Sequence, residues 1–313
     1  MNTLNYQRYQ FNFILNTPLR LDYYAGSLLR GVFGHALRKV SCMTKLKVCA
    51  ECPLQRSCPY TTVFEMPPPQ QHSLQAFSQI PNPYVIEPPP LGSKVYQAGE
   101  ELSFSMVLIG PAIAQLPLII FAWQQAFAQG ISKYQSTARL RVVTAVDAQH
   151  QHHIVYDPQT QTSIHAHAPL QMPTLPQQKS VTLSFQTPLH IQKQGKVLAE
   201  KMTAKDFLMA LIRRYGLLHE FYGTAYQAPQ FSQLAAHAET LNGQAHFQWC
   251  HWQRYSNRQQ QKMRFDGVLG DLTLSGDLQP FLPMLQAGQW LHIGSKTTFG
   301  MGHYQLSNES GIT

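Results

Sequence analysis

Two segments of this 313-residue chain follow one pattern. YQFNFIL (9–15) alternates apolar and polar residues as a half-buried strand does, and it runs into NTPLRL. VTLSFQ (181–186) does the same and runs into TPLHI. A helix follows each. The first spans Gly26–Val40, with Leu28, Leu29, Val32, Phe33, Ala36 and Leu37 at helical spacing. The second starts near Thr203, an N-cap with Asp206 at capping-box spacing, and continues through Phe207, Leu208, Leu211 and Ile212. In the first half a strand (101–110), a helix (114–128) and a strand (139–146) come next. Their counterparts are VLGDLTLSG (268–276), a short helix around 278–285 and WLHIG (290–294), read as a strand. The order strand, helix, strand, strand, helix, strand, stated twice, predicts an α+β protein of two tandem ferredoxin-like (RRM-like) domains, although an unrelated α+β pair would satisfy it too. The domains are expected at 1–147 and 180–313. Between them 148–179, rich in Gln, His, Pro and Thr, reads as a linker or long loop, its five histidines a solvated stretch. A Pro-rich run from Pro67 to Pro90 reads as an extended surface crossing.

Four of the five cysteines fall together, as Cys42-x6-Cys49-x2-Cys52-x5-Cys58, while Cys250 stands apart as a core thiol. Such a cluster in a reducing compartment argues for metal ligation. Four thiolates in one loop close a tetrahedron around zinc or wrap one iron–sulfur cube. Only the middle pair has zinc-knuckle spacing, so a 4Fe-4S cluster is favoured, with zinc as the alternative, in a structural role. The spacing and the CPL after the third cysteine resemble the 4Fe-4S loop of helix-hairpin-helix DNA glycosylases of the endonuclease III type. That likeness covers only the loop, and no glycosylase signature accompanies it.

Lys and Arg number 24 against 16 Asp and Glu, and the excess is localised. Between Arg20 and Tyr60 lie seven basic residues against Asp22 and Glu51. WQRYSNRQQQKMR (252–264) carries Arg254, Arg258, Lys262 and Arg264 with no acid, interleaved with Trp252 and Tyr255. Clustered cations of this kind suit a nucleic-acid backbone, with a solvated charged hairpin as the plain alternative. The longest apolar run, 116–127, contains Gln124 and Gln125 and falls short of the ~20 residues a membrane span needs. The N-terminus carries no signal-peptide pattern, so a cytoplasmic protein without a membrane partner is expected.

IGSKTTFGMGHYQL (293–306) places Gly294, Gly300 and Gly302 around Lys296, where glycines allow backbone to approach phosphate and the lysine adds charge. AGSLLRGVFGHALRKV (25–40), PNPYVIEPPP with GEELSFSMVLIG, the segment RYSNRQQQKMRFDGVLGDLTLSGDLQPFLPML and this terminal loop together resemble the CRISPR precursor-RNA-processing endoribonucleases of the RAMP superfamily. The resemblance implies metal-independent cleavage of a CRISPR repeat stem-loop RNA: the 2′-OH attacks the adjacent phosphate, giving a 2′,3′-cyclic phosphate and a 5′-OH. It implies a catalytic histidine in or beside the first helix, hence His35, with Arg38 and Lys39 within one turn to hold phosphate and Tyr23 or Tyr24 to share proton transfer. The alternative is that His35 packs at a helix boundary. His292 and His303, flanking the glycine loop in strands, are rival histidines, His303 more for RNA contact. The basic hairpin at 252–264 is implied to contact the RNA stem, read through shape and phosphates. Other CRISPR effector subunits are implied partners. Two further readings stand: a non-catalytic guide-RNA-binding subunit of a ribonucleoprotein effector, and an iron–sulfur DNA-repair protein.

Overall fold

The computed structural model describes residues 4–69, 80–160, 163–167, 169–199, 201–224, 230–256 and 261–308. The chain divides into two compact units, 1–171 with 217–224, and 172–216 with 225–313.

The first unit is organised by β1 (Tyr6–Leu15), whose alternate residues Tyr9, Phe11, Phe13 and Leu15 are buried on one face. After β2 (Leu19–Leu21) come helix α1 (Gly26–Ser41), the short α2 (Pro59–Phe64), β3 (Tyr84–Glu87), β4 (Lys94–Tyr96), β5 (Glu101–Ile109), α3 (Leu116–Gln129), β6 (Ala138–Val146) and β7 (His152–Tyr156). The main sheet is antiparallel in the order β3-β5-β1-β6-β7, and β2 pairs with β4 beside it. Taking away the added edge strand β7 leaves the ferredoxin-like arrangement, with α1 and α3 packed on the face that carries Phe11 and Phe13. Phe11 stacks on Phe104 at 5.6 Å and Phe13 on Phe127 at 4.1 Å, while Trp123 of α3 meets Phe33 of α1 at 5.3 Å. Aromatic pairs of this kind add specificity to the burial itself.

Two sequence expectations change here. The Pro-rich run is more than a surface crossing, because YVIE within it is edge strand β3, with Tyr84, Val85 and Ile86 fully buried. Its prolines flank the ladder, as an edge strand tolerates. The stretch 148–179 is not loop throughout either, since His152–Tyr156 pairs with β6 and buries Val155.

Gly34 fixes how α1 meets α2. A Cβ there would lie 2.2 Å from Cζ of Phe64, whose ring is held by Tyr60 at 5.5 Å, by Tyr84 at 5.8 Å and by the Arg30 guanidinium at 4.4 Å. Gly34→Ala is therefore expected to destabilise the chain by about 1–3 kcal/mol, because the overpacked ring has no free direction. A urea titration followed by circular dichroism checks it.

The second unit repeats the plan. Strand β8 (Ser180–Leu189), the two-residue strands β9 (Gln192–Lys193) and β10 (Lys196–Val197), α4 (Ala204–Tyr222, whose residues from Leu217 on are grouped with the first unit), α5 (Phe231–Glu239), β11 (Asn242–Cys250), the hairpin β12 (Gln253–Ser256) and β13 (Gln261–Arg264), β14 (Gly267–Ser275), α6 (Leu282–Leu291) and β15 (Tyr304–Asn308) follow in order. Its sheet runs β11-β14-β8-β15, the same spatial order as the four core strands of the first unit. Thr203 and Asp206 cap α4 reciprocally: the Asp206 N–H donates to Thr203 Oγ1 at 3.1 Å and the Thr203 N–H to Asp206 Oδ2 at 3.3 Å.

The C-terminal elements differ from expectation. The helix placed near 278–285 begins at Leu282 and continues through Trp290 and Leu291, so WLHIG is a helix end and not a strand. The last strand is YQLSN, and the glycine-rich loop joins a helix to a strand. The helix is buried almost all round, at Leu282, Leu285, Ala287, Gly288, Trp290 and Leu291, so its end is continuously apolar and looks like a buried strand. Cys250 is half-buried at the end of β11, outside the core in which it was expected. Among the described residues no helix is long and apolar enough to cross a membrane.

Candidate nucleic-acid interface

Helix α1 turns Leu29, Phe33, Ala36 and Leu37 into the core, which leaves His35 and Lys39 exposed on the opposite face. Among the described residues His35 makes no hydrogen bond, so its imidazole is open to a ligand. Its cationic neighbours are engaged. Arg38 donates to the carbonyls of Leu46 and Lys47 at 2.7 and 2.8 Å and lies over the Tyr60 ring, and Lys39 donates to Gln129 Oε1 at 2.9 Å. Tyr24 is buried, and burial pushes its hydroxyl pKa above the ordinary tyrosine value, which unsuits it for proton transfer near neutrality. Tyr23 is exposed.

The four clustered cysteines follow α1. All are half-buried, Cys42 closes α1 by donating its N–H to the Arg38 carbonyl at 2.9 Å, and Cys58 precedes α2 as its N-cap. Burial pushes the Cys49 thiol up, Arg38 opposes this, and Glu65, Cys42 and Cys58 add to it.

In the second unit the glycine-rich loop is laced onto the end of β8. The Ser295 N–H donates to the His190 carbonyl at 2.8 Å and the Gly302 N–H to the Pro188 carbonyl at 3.0 Å. Thr187 serves both sides of the loop: its Oγ1 donates to the Gly300 carbonyl at 2.7 Å and accepts the His303 N–H at 2.9 Å. Gly294, Gly300 and Gly302 all have positive φ, and Lys296 joins them at φ 62°. Lys296 Nζ sits 5.4 Å from the centroid of the Phe265 ring, a cation–π placement. Burial lowers the Lys296 pKa, with Asp266 opposing.

Phe265 belongs to the base of the basic hairpin, where its N–H donates to the Trp252 carbonyl at 2.8 Å. The loop lysine and the root of the hairpin therefore meet at one end of the sheet. Arg254 lies on β12, Lys262 and Arg264 on β13, and Arg258 falls outside the described residues. Beside them His190 Nδ1–H donates to the Asp266 carbonyl at 2.5 Å, and His251 Nδ1 meets Asp266 Oδ1 at 3.0 Å. His292 is fully buried at the end of α6 with φ 54°, and half-buried His303 stacks on it with ring centroids 4.8 Å apart. Neither histidine lies in a strand.

Sequence reasoning missed His190, Asp266 and Thr187. The signal was present in TPLHI, the counterpart of NTPLRL, but its partners stand far off in the chain. Burial lowers the His190 pKa, with the Asp266 carbonyl opposing and Lys296 adding to the fall. A folded-state pKa below the unfolded value of ~6.5 means the unfolded chain binds the proton more readily. The stability gained from neutral His190 is complete above that value and is lost as pH falls through the folded pKa. His190→Gln is expected to flatten the decline of the unfolding midpoint between pH ~7 and ~5, read by thermal melts across that range.

Comparison with known proteins adds a wider frame. Residues 4–169 match a family model described as an N-terminal domain, AF_1859_N, and residues 183–304 match that of the CRISPR-associated endoribonuclease Cas6. An uncharacterized protein of Archaeoglobus fulgidus is 25% identical over 292 residues, which cover 90% of this chain and 91% of the relative. Thermus thermophilus Cas6 (TTHB231), solved as a product complex, shares the fold with a TM-score of 0.57 at 15% identity, over 96% of this chain and 100% of that one. A partial Cas6-RT-Cas1–Cas2 complex gives a TM-score of 0.57 at 12% identity, over 98% of this chain and 46% of that one.

Proposed function

This chain belongs to the CRISPR RNA-processing proteins of the RAMP superfamily, and on that footing we propose that it is an endoribonuclease that cuts CRISPR repeat RNA by attack of the RNA's own 2′-OH. His35 carries the reading: it is the imidazole that α1 holds out to solvent with no hydrogen bond among the described residues. A neutral imidazole accepts the 2′-OH proton as the oxygen attacks phosphorus, and an imidazolium protonates the departing 5′-oxygen. Either role leaves a 2′,3′-cyclic phosphate and a 5′-OH without a metal ion in the chemistry. The glycine-rich loop, Lys296 and the β12–β13 hairpin of the second unit bind the RNA backbone and its stem.

A second reading has its own support. Arg38 and Lys39, the cations nearest His35 in the helix, are tied to protein oxygens, so charge to stabilise the phosphorane must come from elsewhere. A guide-RNA-binding subunit without catalysis has no such need. Incubation of the chain with its CRISPR repeat RNA in EDTA separates the two. Cleavage to a 2′,3′-cyclic phosphate end supports the endoribonuclease, and RNA bound but left intact supports the binding subunit.

Binding itself has a measurable signature. Backbone contacts release counterions, so affinity falls steeply with salt. Lys296→Gln is expected to weaken binding about equally across RNA sequences and to reduce the slope of log K against log salt by about 1, as fluorescence anisotropy between low and moderate salt would read.

A further inference from the structure

Residues 42–58 lack a hydrophobic reason to hold their shape. The large apolar side chains of this loop stay largely accessible to water: Met43 is 83% exposed, Val48 48%, Leu46 44% and Leu54 37%. The four cysteines are half-buried, and Cys49 and Cys58 pack against the core of the first unit. Regular structure within the loop amounts to one 3-10 turn at Cys49–Glu51 and a few turn hydrogen bonds, such as Cys52 N–H to the Cys49 carbonyl at 3.1 Å and Cys58 N–H to the Leu54 carbonyl at 2.8 Å. A loop with little regular structure and this much exposed apolar surface takes its stability from what its thiols bind.

They do not bind one another, since all four cysteines are free of disulfides. They line a cavity of about 180 Å³ together with Arg38, Leu46, Leu54 and Tyr60. From this enclosure we infer that Cys42, Cys49, Cys52 and Cys58 ligate one [4Fe–4S] cluster. A single zinc ion with Zn–S bonds of ~2.3 Å draws its thiolates to within about 3.8 Å of each other and leaves no void. Among the described residues no three cysteine sulfurs gather within 4.8 Å of one another, and the cavity that all four help to line has room for a group of several atoms. A cubane supplies its own iron corners and spreads its four thiolates correspondingly farther apart. Four thiolates around the cluster leave net negative charge, which the Arg38 guanidinium at the wall, and Lys45 and Lys47 in the loop, offset.

The ligand positions give the cluster a mechanical role. Cys42 stands at the C-cap of α1 and Cys58 at the N-cap of α2. The same two helices touch where Gly34 meets Phe64, and Arg38 ties α1 to the loop carbonyls of Leu46 and Lys47. The cluster staples the C-terminal half of α1 to α2 at the end where Cys42 follows the helix. This inference does not rest on RNA processing, and its test uses no RNA.

The full chain is purified without oxygen and measured for iron, acid-labile sulfide, zinc and visible absorption. About four irons and four sulfides per chain, with a broad band near ~400 nm, are expected. Cys49→Ser and Cys52→Ser are expected to lose the band and most of the iron while far-UV circular dichroism stays near that of the parent, and Cys250→Ser is expected to keep all of it. One zinc per chain without iron overturns the inference, as does a chain that holds neither metal. Iron and band retained in both Ser variants overturn the ligand assignment.

Discussion

His35→Ala is expected to slow cleavage of CRISPR repeat RNA by about 10²–10⁴-fold in single-turnover assays, the range that loss of one general acid or base produces. Affinity for the RNA should change no more than a few-fold, because one exposed imidazole adds little to binding that rests on many backbone contacts. The contrast with its helix neighbour sharpens the test. Lys39 is exposed one turn along, but its ammonium is held by Gln129 Oε1 at 2.9 Å. Lys39→Gln should therefore cost less than about tenfold in rate, unless the RNA draws the lysine away from its partner. An unchanged rate in His35→Ala would move the search for the proton-transfer group to the partly buried His303, which flanks the glycine loop in the second unit.

The fold was legible where side-chain period and burial agree. Phe11 and Phe13 alternate along β1 and meet Phe104 and Phe127, so the strand pattern in the sequence is the packing itself. The Thr203–Asp206 cap was legible because both partners lie within one helical turn. WLHIG was not, because apolar residues at the end of a buried helix carry no local mark that separates them from a buried strand. The candidate sites divide in the same way. His35 and the cysteine spacing stand within short segments, whereas the contact of His190 with Asp266 spans 76 residues and only the fold creates it. Charge counting had a different failing. It placed Arg38 beside His35 correctly along the helix, yet gave no sign that the guanidinium would be spent on the carbonyls of Leu46 and Lys47.

Gly302→Ala is expected to cost about 3 kcal/mol or more in stability and to lower RNA affinity at least about tenfold. The position combines two obstacles. Its φ of 76° is strained for any residue with a Cβ, and that Cβ would stand 1.8 Å from the Ile293 carbonyl oxygen, a backbone atom with no rotamer to escape into. Relief requires the two arms of the loop to separate. That breaks the Ile293 N–H bond to the Gly302 carbonyl at 3.2 Å and strains the Gly302 N–H bond to the Pro188 carbonyl at 3.0 Å. Thr187, which holds both the Gly300 carbonyl and the His303 N–H, loses its geometry with them. Lys296 is then no longer carried over Phe265 at the root of the basic hairpin, so stability and binding fail through one displacement. Thermal melts paired with anisotropy titrations test the coupling. A variant that melts like the parent and binds RNA as tightly would mean that the loop adopts another backbone path at no cost, and the role given to its glycines would be wrong.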